Sequence, residues 1–402
     1  MSGWTRGISA GRMRAWRVHA YGPGELRLET ARVPTLRAPD DVLVRVRAAS
    51  INPLDLGMIG GYGARVLNTL RKLEGADVEF PLVVGRDFVG EVELAGAETS
   101  LRPGDRVWGV VPPHWQGAHA QYVLVKNRWV GPAPRALSDS EAGGALYAAL
   151  SACAALRAAG LEPARRRPRR AARVLLLGLG GVGHAALQLL VCSGAQVVVG
   201  CSDDLRARAT ELGAVAALDR NSPDYDRLLE ESGPFEVILD CAGVGGAEAG
   251  ARRWRFSRFV TLSSPLLLET DAHGMLAGGL RAAGALAEQC AGVARAGPAP
   301  DGSCPPHVRW AYFMPSAEHI EMLRRLAERG KFSVQVARSY PWWEGGAAYE
   351  RAAAPHARGK LLIDFAASPT PSPTPSPTPS PTPSPTPSPT DSPTISTNPR
   401  VM

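Results

Sequence analysis

Several common signatures are missing from this sequence. No apolar run is long enough for a membrane span, because the best candidate, residues 174–191, contains four glycines, a histidine and a glutamine. None of the six cysteines stands in a CxxC pair or at zinc-finger spacing, so we expect free thiols in a reducing compartment. No His, Cys and carboxylate side chains have the spacing of a catalytic metal site, and we expect no metal.

Positive charge is concentrated in two short segments. The net charge is +7, whereas residues 161–173 hold six arginines and one glutamate and residues 1–24 hold four arginines and no acid. A nucleic-acid surface needs basic side chains spread along a groove or a helix, so we expect no nucleic-acid partner. Within segment 161–173, the arginine run at 165–170 is predicted to be a solvated loop, with a patch for phosphates or an acidic membrane as the alternative. The acid-free start is compatible with an organelle-targeting leader over 1–12, and no apolar run follows it as a secretory leader would require.

The end of the chain is a simple repeat. Residues 368–390 consist of serine, proline and threonine alone. Such a segment has nothing to bury and few backbone donors, which predicts a disordered, polyproline-like tail over 368–402. The tail is either a spacer or modified stalk, or an inert extension.

The remaining chain divides into two kinds of pattern. Short β-like runs between Gly, Pro and Asp turns predict a β-rich domain over 13–143. Strands and helices then alternate over 144–308, which predicts βαβ units and a doubly wound parallel sheet, and residues 309–367 are predicted to return to the first domain. The alternating elements are predicted at 174–177, 184–192, 196–200, 205–212, 214–218, 226–231, 237–240 and 260–262, followed by a helix at 318–329 and strands near 332–337 and 361–365.

The strongest motif is the glycine-rich run Gly178-Leu179-Gly180-Gly181-Val182-Gly183, between an apolar strand and an amphipathic helix. In that setting GxGxxG is the fingerprint of a dinucleotide site. The glycines let the backbone approach a pyrophosphate, and the helix N-terminus offers it free N–H groups and the positive end of a dipole.

The end of the second strand bears on the choice of coenzyme. An NAD site normally places a carboxylate there to bind the ribose 2′-OH. Here the position falls on Ser202, which would not repel a 2′-phosphate, and Arg206 or Arg220 could pair with that phosphate. We therefore expect NADPH, although a shift of one residue toward Asp203 would reverse the choice.

These motifs resemble the medium-chain dehydrogenase/reductase superfamily, on its zinc-free quinone-oxidoreductase side. The resemblance spans about 13–365 and includes residues 48–55 (AASINPLD), Gly85-Arg86-Asp87 and residues 103–107 (PGDRV). Zinc alcohol dehydrogenases of this superfamily carry a Cys near the first segment and Gly-His-Glu at the second, and both ligands are missing here. The resemblance implies a Rossmann domain beside a GroES-like catalytic domain, without catalytic zinc.

Segments 60–64, 110–115, 309–314 and 356–360 narrow the resemblance to a mitochondrial branch. It implies an NADPH-dependent enzyme linked to quinones and ubiquinone synthesis, with reticulon-type membrane proteins as partners and a possible homodimer. The resemblance also extends the coenzyme site, whose expected residues are Gly178, Gly180, Gly181, Val182, Gly183, Ser202, Arg220, Cys241, Tyr312, Phe313, His356, Arg358 and Gly359. Two departures are a glycine turn one residue shorter than usual and a longer, Pro/Gly-rich stretch over 281–307.

Without zinc, hydrogen-bond donors must stabilise the oxygen that becomes negative during reduction. Our candidates are Asn52 and Tyr62, with the proton from Tyr62 or water. The predicted substrate is a quinone or an activated C=C or C=O group, bound between the two domains. Two alternatives stay open: an NADPH-binding scaffold without activity, and an enoyl reductase that acts on acyl thioesters.

Overall fold

The computed structural model describes residues 11–22, 24–75, 79–162, 171–252, 254–295, 299–300, 302, 305–355 and 357–368. The predicted tail from residue 369, leader residues 1–10 and the arginine run at 165–170 lie outside the described residues. The chain through Ala367 forms a single unit.

The first part of the chain is rich in antiparallel strands, as predicted. It contains β1 (Arg12–Val18), β2 (Leu26–Arg32), β3 (Asp41–Ile51), α1 (Pro53–Ile59), α2 (Ala64–Glu74), β4 (Leu82–Val83), β5 (Asp87–Ala95), β6 (Arg106–Val110), β7 (Tyr122–Lys126), β8 (Val130–Pro132) and α3 (Asp139–Gly143). A small sheet has the order β2-β1-β4. The long strand β3 pairs with both β5 and β7, and it is the centre of the larger sheet.

The second part alternates between helices and strands. It contains α4 (Leu146–Ala159), β9 (Arg173–Leu177), α5 (Gly181–Cys192), β10 (Gln196–Cys201), α6 (Arg206–Glu211), β11 (Ala216–Asp219), α7 (Tyr225–Ser232), β12 (Phe235–Asp240), α8 (Gly246–Ala251), β13 (Phe256–Thr261), α9 (Leu266–His273), α10 (Met275–Ala294) and β14 (His307–Trp310). All six strands are parallel, in the order β11-β10-β9-β12-β13-β14. The strand order reverses between β9 and β12, which is where open α/β sheets bind ligands.

Two details differ from the sequence prediction. The boundary predicted at 308 falls inside β14, which pairs with β13 and so extends this sheet to Trp310. The stretch 281–307 begins within the 20-residue helix α10, which the sequence pattern did not predict. None of the described helices combines the length and the apolar character needed to cross a membrane.

The last part of the chain returns to the antiparallel sheet. It contains α11 (Ala317–Glu328), β15 (Val336–Pro341), α12 (Gly345–Ala353) and β16 (Lys360–Asp364), and single 3₁₀ turns occur at Asn127–Trp129, Asp203–Leu205 and Trp342–Glu344. Strand β16 pairs antiparallel with β3, with Leu361 opposite Ile51. This pairing places the start of β16 beside the end of β3, where the two sheets approach each other.

One apolar core joins the β-rich part to one face of the parallel sheet. It includes Val44 and Leu362 from the antiparallel sheet, Leu150 of α4 and Leu176 of β9. Helix α4 is buried along most of its length because it packs between these layers. Burial of this apolar surface holds the two halves together, so a cleft at their junction has rigid walls.

Candidate active site

A cavity of about 530 Å³ lies where the glycine-rich turn meets the ends of β3 and β16. This volume is within the usual range for small-molecule and cofactor sites. Residues from both halves of the chain line the cavity, including Leu56 from α1 and Ala185 from α5. Ten predicted site residues line it: Asn52, Gly178, Gly180, Gly181, Val182, Ser202, Arg220, Cys241, Arg358 and Gly359.

The glycine-rich turn has the geometry expected of a phosphate-binding loop. Gly178 has φ +89°, a conformation that side-chain-bearing residues rarely adopt. Gly183 lies against the carbonyl oxygen of Gly178 so closely that a Cβ would collide with it. Helix α5 begins after Gly180 with no side-chain cap, so its first backbone N–H groups are left for another acceptor. Gly183 therefore supports the turn from behind, while the other glycines line the cavity.

The turn after β12 forms the neighbouring wall. The buried Asp240 carboxylate accepts hydrogen bonds from the backbone N–H groups of Ala242, Val244 and Gly245, at 2.9–3.1 Å. These bonds fix the position of Cys241, whose own N–H donates to Leu177. Burial raises the pKa of the Cys241 thiol well above its usual range, so the side chain is a neutral surface of the cavity.

Ser202, the first residue after β10, lines the cavity, whereas Asp203 and Asp204 do not. Asp203 and Asp204 are exposed, and they pair with Arg206 and Arg358, respectively. Of the two arginines considered for a phosphate, Arg206 pairs with Asp203 outside the cavity lining, whereas Arg220 lines the cavity. No hydrogen bond or ion pair of the Arg220 side chain is found within the described part of the chain.

Some predicted site residues lie outside the cavity lining. Gly183 lies behind the glycine-rich turn, against the carbonyl oxygen of Gly178. His356 is outside the described residues. Tyr312 is 40% exposed, and its hydroxyl lies 2.8 Å from Ser264 Oγ. Phe313 stacks on Tyr147, which does line the cavity, with 4.5 Å between ring centroids.

Tyr62, the second catalytic candidate, is also outside the cavity lining. Its ring packs against α1 at Gly57. Burial, followed by nearby Tyr312 and Asp271, raises the pKa of its hydroxyl, so it is a neutral donor.

Asn52 sits in a buried polar network with a group that sequence reasoning missed. Its side-chain Nδ2 donates to Asp87 at 3.0 Å and Ser50 Oγ at 3.2 Å, and its Oδ1 accepts from Lys360 Nζ at 2.6 Å. The N–H groups of the Asn52 side chain are therefore bonded inside the protein, and Asn52 and Lys360 both line the cavity. Lys360 belongs to segment 356–360, but only the pairing of β16 with β3 shows that it reaches Asn52.

The described residues do not fit a catalytic zinc ion. Arg86 stands where the zinc enzymes carry a histidine; it is fully buried, and its guanidinium donates to the carbonyls of Val83, Pro112, Pro113 and Trp115. Its only carboxylate neighbour among the ion pairs found in the described ranges is Asp55, at 3.5 Å. Within the part of the chain that the structure describes, no three His, Cys, Asp or Glu side chains are grouped so as to hold a metal.

Comparison with known proteins identifies the two halves separately. Residues 38–135 match the alcohol dehydrogenase GroES-like domain, and residues 212–363 match the zinc-binding dehydrogenase family. The quinone oxidoreductase from Coxiella burnetii has a similar structure, with a TM-score of 0.66 over 88% of this chain and 99% of that chain. The two sequences are 23% identical, so this match supports the fold. The predicted α/β class with a GroES-like domain is confirmed.

Two curated relatives match nearly the whole described chain. The mitochondrial NAD(P)H oxidoreductase RTN4IP1 of Drosophila melanogaster is 38% identical over 373 residues, which cover 88% of this chain and 87% of that protein. The Homo sapiens protein of the same name is 34% identical over 371 residues, covering 88% and 89%. The predicted superfamily is confirmed: the chain belongs to the medium-chain dehydrogenase/reductases and, within them, to the quinone-oxidoreductase-like family of NAD(P)H oxidoreductases that includes RTN4IP1.

Proposed function

We propose that the cavity binds NADPH and that the enzyme reduces a quinone or an activated carbonyl or alkene. One observation carries the coenzyme assignment: the described residues that line the cavity include the cations Arg220, Arg358 and Lys360, and no carboxylate. A pyrophosphate beside the free N–H groups of α5 and a further phosphate on the ribose both favour such surroundings. When bound, the reduced nicotinamide supplies a hydride, and the protein supplies orientation and a dry pocket.

The residues proposed to surround the ribose of the coenzyme favour NADPH over NADH. Ser202 is a small neutral side chain at the strand end, and Arg220 is an unengaged cation of the cavity rim within the described ranges. An aspartate at this strand end would favour NADH, but Asp203 and Asp204 pair with Arg206 and Arg358, respectively. In this proposal Ser202 and Arg220 bind the 2′-phosphate, and Cys241, Tyr312, Phe313, His356, Arg358 and Gly359 complete the coenzyme site.

The substrate side of the cavity suits a flat, conjugated ring. Ile51, Pro53 and Leu56 bring apolar side chains from the β-rich half, and Tyr147 adds an aromatic ring that Phe313 holds in place. An aromatic wall binds a quinone by stacking and by removal of apolar surface from water. Polar contacts to the substrate oxygen come from the Asn52–Lys360 pair, whereas Tyr62 lies outside the cavity lining.

The names of the relatives extend the proposal to a location. The mitochondrial relatives support a mitochondrial enzyme. A link to ubiquinone metabolism is a prediction from the resemblance. A reticulon-type membrane partner and a homodimer remain predictions from the resemblance.

A quinone panel tests the proposed activity. The purified chain should oxidise NADPH in the presence of quinones, faster than it oxidises NADH, when absorbance of the reduced coenzyme is followed. Saturable NADPH binding without turnover on any quinone, enal or enone would contradict the enzyme and favour an NADPH-binding scaffold. Turnover confined to acyl thioesters would instead indicate an enoyl reductase.

A further inference from the structure

The Lys360 side chain crosses from the glycine-rich turn to the end of β3. The carbon atoms of its side chain lie next to Gly144 and Gly181. Its Nζ lies 2.6 Å from Asn52 Oδ1. The residue is 9% exposed, and it lines the cavity. The ammonium group is therefore held where the nucleotide half and the β-rich half meet.

Asn52 is oriented so that its oxygen alone faces this ammonium group. Asp87 Oδ1 accepts from both Asn52 Nδ2, at 3.0 Å, and Ser50 Oγ, at 2.5 Å. The second Asp87 oxygen accepts from the backbone N–H of Tyr147, and Asn52's own backbone N–H donates to Asp55. A rotation of the amide would point a donor at the ammonium and oxygen at the Asp87 carboxylate, so the network fixes its orientation.

The ammonium has more donors than the protein satisfies. Lysine offers three N–H donors, and Asn52 Oδ1 is the single acceptor found for Lys360 Nζ within the described ranges. No carboxylate in the described part of the chain lies within ion-pair distance of it. A nearly buried cation with spare donors is costly unless another oxygen completes its contacts, and the cavity is where such an oxygen can approach.

The choice of lysine at this position is also unusual for this chain. Of its 45 basic residues, 41 are arginines and four are lysines: Lys72, Lys126, Lys331 and Lys360. An ammonium is a compact donor that can release a proton, whereas a guanidinium stays protonated. The position thus carries a group that can both stabilise the substrate oxygen when it becomes negative and give that oxygen a proton.

We infer that Lys360 is a catalytic residue that stabilises the substrate oxygen and gives it a proton, with Asn52 as the positioning residue that aims it. This inference rests on the proposed function of the same cavity. The substrate accepts a hydride with its electron pair from the reduced coenzyme, and its oxygen becomes a phenolate for a quinone, an enolate for an activated alkene or an alkoxide for an activated carbonyl. One N–H bond of Lys360 then breaks and one O–H bond forms, and the neutral amine regains a proton from water as the product leaves.

Binding of 4-nitrophenol tests this role without turnover, because its coloured phenolate imitates the negative oxygen. With oxidised coenzyme bound, the wild-type protein should bind 4-nitrophenol with an apparent pKa at least one unit below that of the Lys360→Met complex, a tenfold difference in ionisation. Lys360→Arg, which keeps the charge, should restore part of the shift. Lys72→Met, an exposed position on α2 outside the cavity lining, should behave as wild type.

The outcomes separate the role of Lys360 from the proposed function. Equal nitrophenol pKa values in wild type and Lys360→Met, or no binding at millimolar concentration, would overturn the inference while coenzyme binding still stands. A tenfold loss of coenzyme affinity in Lys360→Met with an unchanged nitrophenol pKa would assign the ammonium to the coenzyme and also overturn it. Failure of the wild-type protein to bind either coenzyme would overturn the proposed function itself.

Discussion

Arg358 Nε lies 2.8 Å from Asp204 Oδ2, and this ion pair joins the loop before β16 to the end of β10. Arg358 also has φ +52°, in the left-handed region. With this backbone conformation its side chain reaches a carboxylate that follows Ser202, at the end of the cavity proposed to bind the ribose. The pair therefore neutralises an acid two residues from Ser202, which is proposed to bind the 2′-phosphate.

Replacement of Arg358 should weaken NADPH binding more than NADH binding. In Arg358→Ala the Asp204 charge is left without its partner, and a nearby cation is lost, both of which disfavour a phosphate. We expect the dissociation constant for NADPH to rise about tenfold, or about 1.4 kcal/mol, measured by coenzyme fluorescence. Arg206→Ala is the control, because Arg206 pairs with Asp203 outside the cavity lining; an equal loss in that variant would contradict the assignment.

An aspartate at Gly180 should block coenzyme binding without unfolding the protein. A Cβ at Gly180 would meet no atom within 4 Å, and the residue is the N-cap of α5, a position that favours aspartate. In Gly180→Asp the new carboxylate would take the free N–H groups and repel the pyrophosphate. We expect affinity for both coenzymes to fall at least about a hundredfold, roughly 3 kcal/mol, with an unchanged melting temperature.

Gly284→Asp is the matched control for this change. Gly284 is exposed on α10, and a Cβ there also meets nothing within 4 Å. That variant should bind coenzyme as wild type does. Normal NADPH affinity in Gly180→Asp would show that the coenzyme does not use this turn.

A carboxylate at Ser202 should shift the preference toward NADH. In Ser202→Asp the new carboxylate would repel a 2′-phosphate, whereas it would accept a hydrogen bond from a 2′-OH. We expect the ratio of NADPH to NADH affinity to fall by about ten- to a hundredfold, or 1.4–2.8 kcal/mol, in parallel titrations. Asp203→Ser should leave the ratio unchanged, because Asp203 is outside the cavity lining. A change in that control alone would place the ribose one residue further along the chain.

The sequence was sufficient for features that depend on near neighbours. Strand β9 was predicted to within one residue and the end of α5 correctly, because an apolar run, a glycine cluster and a helical pattern follow one another directly. The start of α5 was predicted three residues late, because its first turn is formed by the glycine cluster itself. The end of β10 at Cys201, with Ser202 next, was predicted for the same reason. Local patterns also sufficed for α11, where an amphipathic pattern begins after the Ser316 N-cap.

Features that depend on distant contacts could not be predicted in this way. Helix α10 is rich in alanine and glycine, and it packs on α9 at Gly278, where a Cβ would collide with the backbone of Glu269. Nothing in its own sequence reveals that partner. The Lys360–Asn52 hydrogen bond joins residues 308 positions apart, and it follows from the register of β16 on β3. The prediction that Asn52 donates directly to the substrate oxygen did not include this contact, because Lys360 is distant in the sequence.

His184, on the first turn of α5, links the stability of the site to pH. It lines the cavity, and its Nδ1 lies 3.0 Å from Gln188 Nε2. Burial, followed by the nearby Arg208, lowers the pKa of its imidazole to about 4. The side chain is therefore neutral in the folded protein at pH 5–7, whereas in the unfolded chain it would bind a proton as the pH falls through its usual value near 6.5.

Between about pH 6.5 and 4 the unfolded chain holds one more proton at His184 than the folded protein, so acid should favour unfolding. A lowering of the pKa from 6.5 to about 4 corresponds to a loss of about 3 kcal/mol across that range. His184→Gln should remove this part of the loss, which urea midpoints at several pH values would reveal. His273→Gln is the control, because His273 is exposed on α9. Buried His119, whose pKa is also lowered by burial, is present in both variants, so a residual slope is expected. An identical slope in wild type and His184→Gln would contradict a neutral, buried His184.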